Sequence, residues 1–81
     1  MKLAYTKTAL DALQDAPPAI RKAFCKQAGF LLADLHHPSL HAKKYSEPDD
    51  KWQARVNKSW RFYFRIVADT YVIEDVMPHP K

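Results

Sequence analysis

The sequence predicts an α+β fold, with a helical hairpin packed on one face of a small, mainly antiparallel, twisted β-sheet. Apolar residues recur every three or four positions as far as Leu35 and every second position beyond Ala42, and prolines and short polar runs separate the segments. Helices followed by a run of neighbouring strands is the pattern of an antiparallel sheet covered on one side.

Residues 2–5, KLAY, suit a short first strand, with an early helix start as the alternative over so few residues. Thr6 supplies a hydroxyl that can accept an orphan N–H at a helix start, and Ala9, Leu10 and Leu13 form the buried face of the helix that follows. Ala16 and the pair Pro17 and Pro18 end it, because a residue before proline disfavours helical torsions. Proline then opens a second helix, where its missing N–H costs nothing. From Pro18 to about Leu35 the residues Ile20, Phe24, Ala28, Leu31, Leu32 and Leu35 share one face, and Arg21, Lys22, Lys26 and Gln27 take the wet side. Cys25 borders the apolar stripe and reads as a buried, inert thiol. The short connection makes an antiparallel helix pair economical, and Pro38 stops the second helix.

After HHPSL the period becomes two. AKKY at 42–45 begins it, and SEPDDK reads as a polar hairpin turn. In WQARVN, Trp52, Ala54 and Val56 point one way and Gln53, Arg55 and Asn57 the other. Lys58 and Ser59 form a tight connection to WRFYFRIV, where Trp60, Phe62, Phe64 and Ile66 face the core and Arg61, Tyr63 and Arg65 face away. A second tight turn at Ala68 and Asp69 leads into TYVIEDVM. The tryptophans and phenylalanines belong to packing, since they occupy the apolar parity of their strands.

With 81 residues the chain is expected to be one domain, 1–81, around one thin core. A hydrophobic content of 47% excludes a disordered tail, because that much apolar surface offsets the ordering entropy. Cys25 stands alone, which excludes a disulfide framework and a cysteine-rich zinc module and fits a reducing cytoplasm. Gly29 is the single glycine, so neither a dinucleotide fingerprint nor a Walker loop can form, and no cofactor is expected. The stretch 17–35 is interrupted by Arg21, Lys22, Lys26 and Asp34 and follows no charged-then-apolar leader, so neither secretion nor membrane insertion is expected. His36, His37 and His41 cluster without the cysteine or carboxylate partners of a metal site, and Ser39, Ser46 and Ser59 lack any triad motif.

The net charge of +4 is modest, but residues 51–65 carry Lys51, Arg55, Lys58, Arg61 and Arg65 with no acid. Alternation puts Arg55, Arg61 and Arg65 on one uncovered face with Gln53 and Tyr63. Such a surface suits RNA: guanidinium groups grip phosphates bidentately, and a tyrosine ring can stack on a base. Like charges on adjacent strands are costly unless an anion relieves them, and Glu74 or Asp75 is the internal candidate. A solvated strand face guarded by charge against edge pairing is the plainer account. His79 follows the last strand and can return over the basic face, where an imidazole can exchange a proton during RNA cleavage. RNA brings its own nucleophile, the 2′-hydroxyl, so Arg55, Arg61 and His79 would suffice for proton transfer and charge stabilisation. A frayed C-terminus is the alternative for His79.

The set of Trp52, Arg55 and Val56, then Trp60, Arg61, Phe62 and Phe64, with HPSLHAKKY before and PH after, resembles the RelE/ParE superfamily of bacterial toxin–antitoxin toxins across nearly the whole chain. The resemblance implies the order β-α-α-β-β-β and a toxin neutralised by a cognate antitoxin that wraps it, with DNA reached only through that complex. RelE-like members cut mRNA in the ribosomal A site and so inhibit translation. ParE-like members inhibit DNA gyrase, and inactive relatives keep only antitoxin binding. Carried over by position, Arg55, Arg61 and His79 become the catalytic set, with Lys43 or Lys44 as the RNA-guiding lysine. Gln53, Lys58, Tyr63 and Arg65 complete the expected RNA surface. The leading expectation is therefore a ribosome-dependent mRNA endoribonuclease. The sequence departs from the ribonucleases in having Pro80 and Lys81 after the histidine, where a C-terminal tyrosine often stands.

Overall fold

The Thr6 hydroxyl accepts the Ala9 N–H at 3.1 Å and donates to the Glu74 carbonyl at 2.9 Å. One side chain thus caps the first helix and ties it to the last strand. In the computed structural model, which describes residues 1–79, the elements are β1 (Lys2–Tyr5), α1 (Lys7–Asp15), α2 (Pro18–Ala33), a single 3-10 turn (Pro38–Leu40), β2 (Lys43–Ser46), β3 (Lys51–Arg55), β4 (Trp60–Val67) and β5 (Thr70–Pro78). The α+β class and the helix-then-strand order are as expected. AKKY contributes a strand of its own, β2, so the order gains one strand and becomes β-α-α-β-β-β-β.

The five strands lie in the order β1-β5-β4-β3-β2. Three neighbouring pairs are antiparallel, and β1 runs parallel to β5. A parallel pair needs a crossover, and everything from α1 to β4 lies between these two strands in the chain. The Ala68–Asp69 turn joins β4 to β5, with Ala68 at a φ of 54°, a left-handed torsion unusual for a residue bearing a Cβ.

The helices cover one face of the sheet. Phe24 of α2 meets Phe62 of β4 edge-on at 5.2 Å, and Phe64 meets Tyr71 of β5 at 5.6 Å. Leu31, Leu40 and Ile73 are fully buried around them. Trp52, Trp60 and Ile66 pack against this cluster from its rim.

Several helical positions differ from the simple stripe. Leu10 is 53% exposed and Leu32 41% exposed. Ala9 rather than Leu10 is the buried residue of α1, with Ala12 and Leu13 half-buried beside it. Cys25 is exposed, because Phe24 already points at the sheet and the next residue turns about 100° away. Gln27, expected on the wet side, is 5% exposed. Helix α2 ends at Ala33, where the Asp34 N–H still bonds the Phe30 carbonyl at 2.8 Å, so Leu35 packs on the core from outside the helix.

Candidate functional site

The uncovered face is organised by strand register. Across β3 and β4, Arg55 stands opposite Arg61, Gln53 opposite Tyr63, and Lys51 opposite Arg65. Strand β5 extends these rows with Met77 beside Arg61 and Asp75 beside Tyr63, and β2 places Lys43 beside Gln53. A register shift between Tyr63 and Phe64 leaves Glu74 without a cross-strand partner, which is the signature of a bulge.

Arg61 is the centre of the site. It is 9% exposed, and its Nη1 lies 2.9, 3.2 and 3.1 Å from the carbonyls of Asn57, Lys58 and Trp60. Burial first, and the facing Arg55 second, push its guanidinium below the ordinary arginine value. Two of the carbonyls come from the β3–β4 loop and the third from Trp60 at the start of β4; Asn57 builds the loop by accepting the N–H groups of Ser59 and Trp60 at 2.8 and 2.9 Å. Lys58 and Ser59 are inside that connection, as expected.

Among the described residues no carboxylate relieves the two arginines. Glu74 pairs instead with Lys51 at 3.5 Å, and Asp75 accepts the Val76 N–H at 2.8 Å. Among the described residues no arginine takes part in an ion pair.

A groove of about 420 Å³ opens over this pair, lined by His41, Lys43, Gln53, Arg55, Arg61 and His79. The His79 N–H donates to the Ser59 carbonyl at 2.7 Å, so the backbone is held against the loop that also cradles Arg61. His41, which sequence reasoning grouped with His36 and His37, belongs to this groove. His37 stacks on Phe30 at 4.0 Å, and its Nδ1 accepts the Ser39 N–H at 3.2 Å, while His36 is exposed. Among the described residues no group of three or more metal-ligating side chains comes together. His41 lies outside β2 with a left-handed backbone that breaks the alternation, so periodicity gives no signal for it.

His41 is placed by a buried amide. Gln27 Nε2 donates to the carbonyls of Ser39 and Arg55 at 3.1 and 2.9 Å, and its Oε1 accepts the Ser39 hydroxyl at 3.1 Å. The turn before β2 is thereby fixed to the end of β3. His41 closes that turn in a left-handed conformation, φ 46° and ψ 42°.

The remaining expected residues divide. Gln53 is nearly buried, and its Nε2 donates to the Tyr63 hydroxyl at 3.1 Å. Of the two lysines, only Lys43 lines the groove. Lys44 lies on the opposite face over Trp52, paired with Asp50 at 3.0 Å and Glu47 at 3.6 Å; the Asp50 hydrogen bond holds its ammonium above the ordinary lysine value. One step along a strand inverts the face, so only one of two adjacent lysines can serve the site. Lys58 lines a neighbouring hollow with His41 and Arg55. Arg65 sits apart, in a hollow with Asp49, Asp50 and Glu74.

A buried guanidinium, a second one across the strand, a lysine and two histidines around one groove can hold a phosphodiester and exchange protons with it.

No protein-family model and no curated protein matches the chain. Solved structures do. A YoeB/ParE toxin from Agrobacterium tumefaciens superposes with a TM-score of 0.82 at 14% identity, covering 99% of this chain and 100% of that one. The toxin–antitoxin complex RelBE2 from Mycobacterium tuberculosis matches at 0.75 and 26% identity, over 96% of each chain. An archaeal RelE–RelB complex from Pyrococcus horikoshii matches at 0.78 and 18%, over 95% and 92%.

Proposed function

We propose that this chain, which has the RelE/ParE fold, is the toxin of a type II toxin–antitoxin pair and acts as a ribosome-dependent mRNA endoribonuclease. The observation that carries the reading is the Arg55–Arg61 pair, which faces a groove where, among the described residues, no carboxylate pairs with either arginine. Such an arrangement is stabilised by an anion from outside, and a phosphodiester matches the planar forks of two guanidinium groups.

In this reading the RNA 2′-hydroxyl attacks the adjacent phosphorus. One of His41 and His79 takes the hydroxyl proton, and the other protonates the departing 5′-oxygen. The products are a 2′,3′-cyclic phosphate and a 5′-hydroxyl. Arg61, held by loop carbonyls, and Arg55 stabilise the charge that builds on the non-bridging oxygens, while Lys43 steers the strand. The rigidity of Arg61 matters because a preorganised charge needs no reorientation during reaction. The cognate antitoxin is the expected protein partner, and the complexes among the structural neighbours support it.

Expression without an antitoxin should arrest growth with rapid loss of mRNA, and the fragments should carry 2′,3′-cyclic phosphate ends. Arrest with DNA-damage signalling and intact mRNA would instead favour gyrase inhibition. Absence of arrest would favour a relative that only binds its antitoxin.

A further inference from the structure

The sheet face carries a second hollow, of about 410 Å³, whose character is unlike that of the basic groove. Tyr45, Lys51, Tyr63, Glu74, Asp75 and Met77 are among the residues that line it. We infer that it is a nucleobase subsite favouring bases with an exocyclic amino group over uracil. This rests on the reading of the neighbouring groove as the phosphate site.

Three observations lead there. The first is aromatic: Tyr45 and Tyr63 meet edge-to-face at 5.2 Å, and Tyr45 is 59% exposed on the edge strand β2. A large ring left in water beside a fixed ring offers a face on which a base can stack. The Gln53 hydrogen bond fixes Tyr63, and the tyrosine O–H remains free to donate.

The second is electrostatic. Glu74 is paired with Lys51 at the border of the hollow, which leaves Asp75, among the described residues, as the unpaired charge that repels a phosphate there, whereas the arginine groove attracts one. The backbone is thus directed to one end of the face and an uncharged group to the other. The third is spacing. The Gln53–Tyr63 row lies two residues along the strands from the Arg55–Arg61 row, about 6.8 Å, which is the reach from a phosphate to its own base.

Asp75 supplies the discrimination. Its Oδ1 accepts the Val76 N–H, and among the described residues no cation pairs with it. A carboxylate at the wall accepts from the amino group of adenine, guanine or cytosine. Uracil has no amino group; its single N–H lies between two carbonyl oxygens that the carboxylate repels.

The test is an NMR titration of the purified protein with the four nucleoside 3′-monophosphates, and with ribose 5-phosphate as a probe lacking a base. The adenine, guanine and cytosine nucleotides should move the Tyr45 and Tyr63 ring signals together with the Arg55 and Arg61 side-chain signals. Uridine monophosphate should bind about ten-fold more weakly. Asp75→Asn, which keeps the shape, should erase that gap, and Tyr45→Ala should weaken every nucleotide but leave ribose 5-phosphate unchanged. Arginine shifts that are equal for all five probes, with silent tyrosines, would overturn the base subsite while leaving the phosphate groove standing. Silent arginines with every probe would overturn both.

Discussion

In the proposed function, Arg55 and Arg61 serve the groove at the expense of the fold. They are directly opposed across two strands, and Arg61 is nearly buried. Like charges so placed are destabilising by a few tenths of a kcal/mol or more. Arg55→Gln should therefore raise stability by about 0.5 kcal/mol, roughly 2–4 °C in Tm for a domain of this size, while cleavage falls. Thermal unfolding beside an activity assay checks it, and a fall in Tm would mean that Arg55 has a stabilising partner. At this scale the pairing was legible, because strand parity and a short hairpin put Arg55, Arg61, Gln53 and Tyr63 on one face. The choice between Lys43 and Lys44 was not, because a register shift near Ser46 interrupts β2. Nor was the role of Glu74, which the bulge in β5 turns toward Lys51 instead of an arginine.

Among the elements, α2 does more than cover the sheet. Gln27 connects it to the turn that presents His41 and to the end of β3 that presents Arg55. Gln27→Ala removes three hydrogen bonds, leaving the half-buried Arg55 carbonyl short of a partner while the exposed Ser39 can turn to water, at a cost of about 1 kcal/mol. Cleavage should fall further than the loss of folded protein explains, because the two walls of the groove are no longer tied together. Chemical denaturation together with rates measured well below Tm separates the two effects, and a purely proportional loss would contradict the positioning role. Helical periodicity identified the stripe through Ile20, Phe24, Ala28 and Leu31, but it assigns residues by polarity. It therefore placed Gln27 in water and Leu10 and Leu32 in the core, where the structure has the reverse. Which polar side chain is buried depends on carbonyls supplied from distant parts of the chain, and those are invisible to a local pattern.

Taken over the whole molecule, the net charge of +4 understates the organisation of the surface. The run of cations in 51–65 looks uniform in sequence, yet the fold sorts it. Lys51 is neutralised by Glu74, and Arg65 faces a hollow that holds Asp49 and Asp50. What remains focused is the groove around Lys43, Arg55 and Arg61, bordered by both histidines. The fold class was legible because the change of period from 3.6 to 2 is a property of long segments, and long segments average out single exceptions. Bringing His41 to His79 requires β3 and β4 to pair side by side between β2 and β5, a long-range arrangement that no local spacing reports. In the proposed function this groove cuts mRNA on the ribosome. Primer extension on mRNA with programmed ribosomes, comparing wild type with folded Arg61→Ala, tests it most directly. Ribosome-dependent cuts by the wild type and at least a hundred-fold loss in the variant are expected, about the effect of removing one preorganised charge-stabilising group. Equal cutting by both proteins would contradict it.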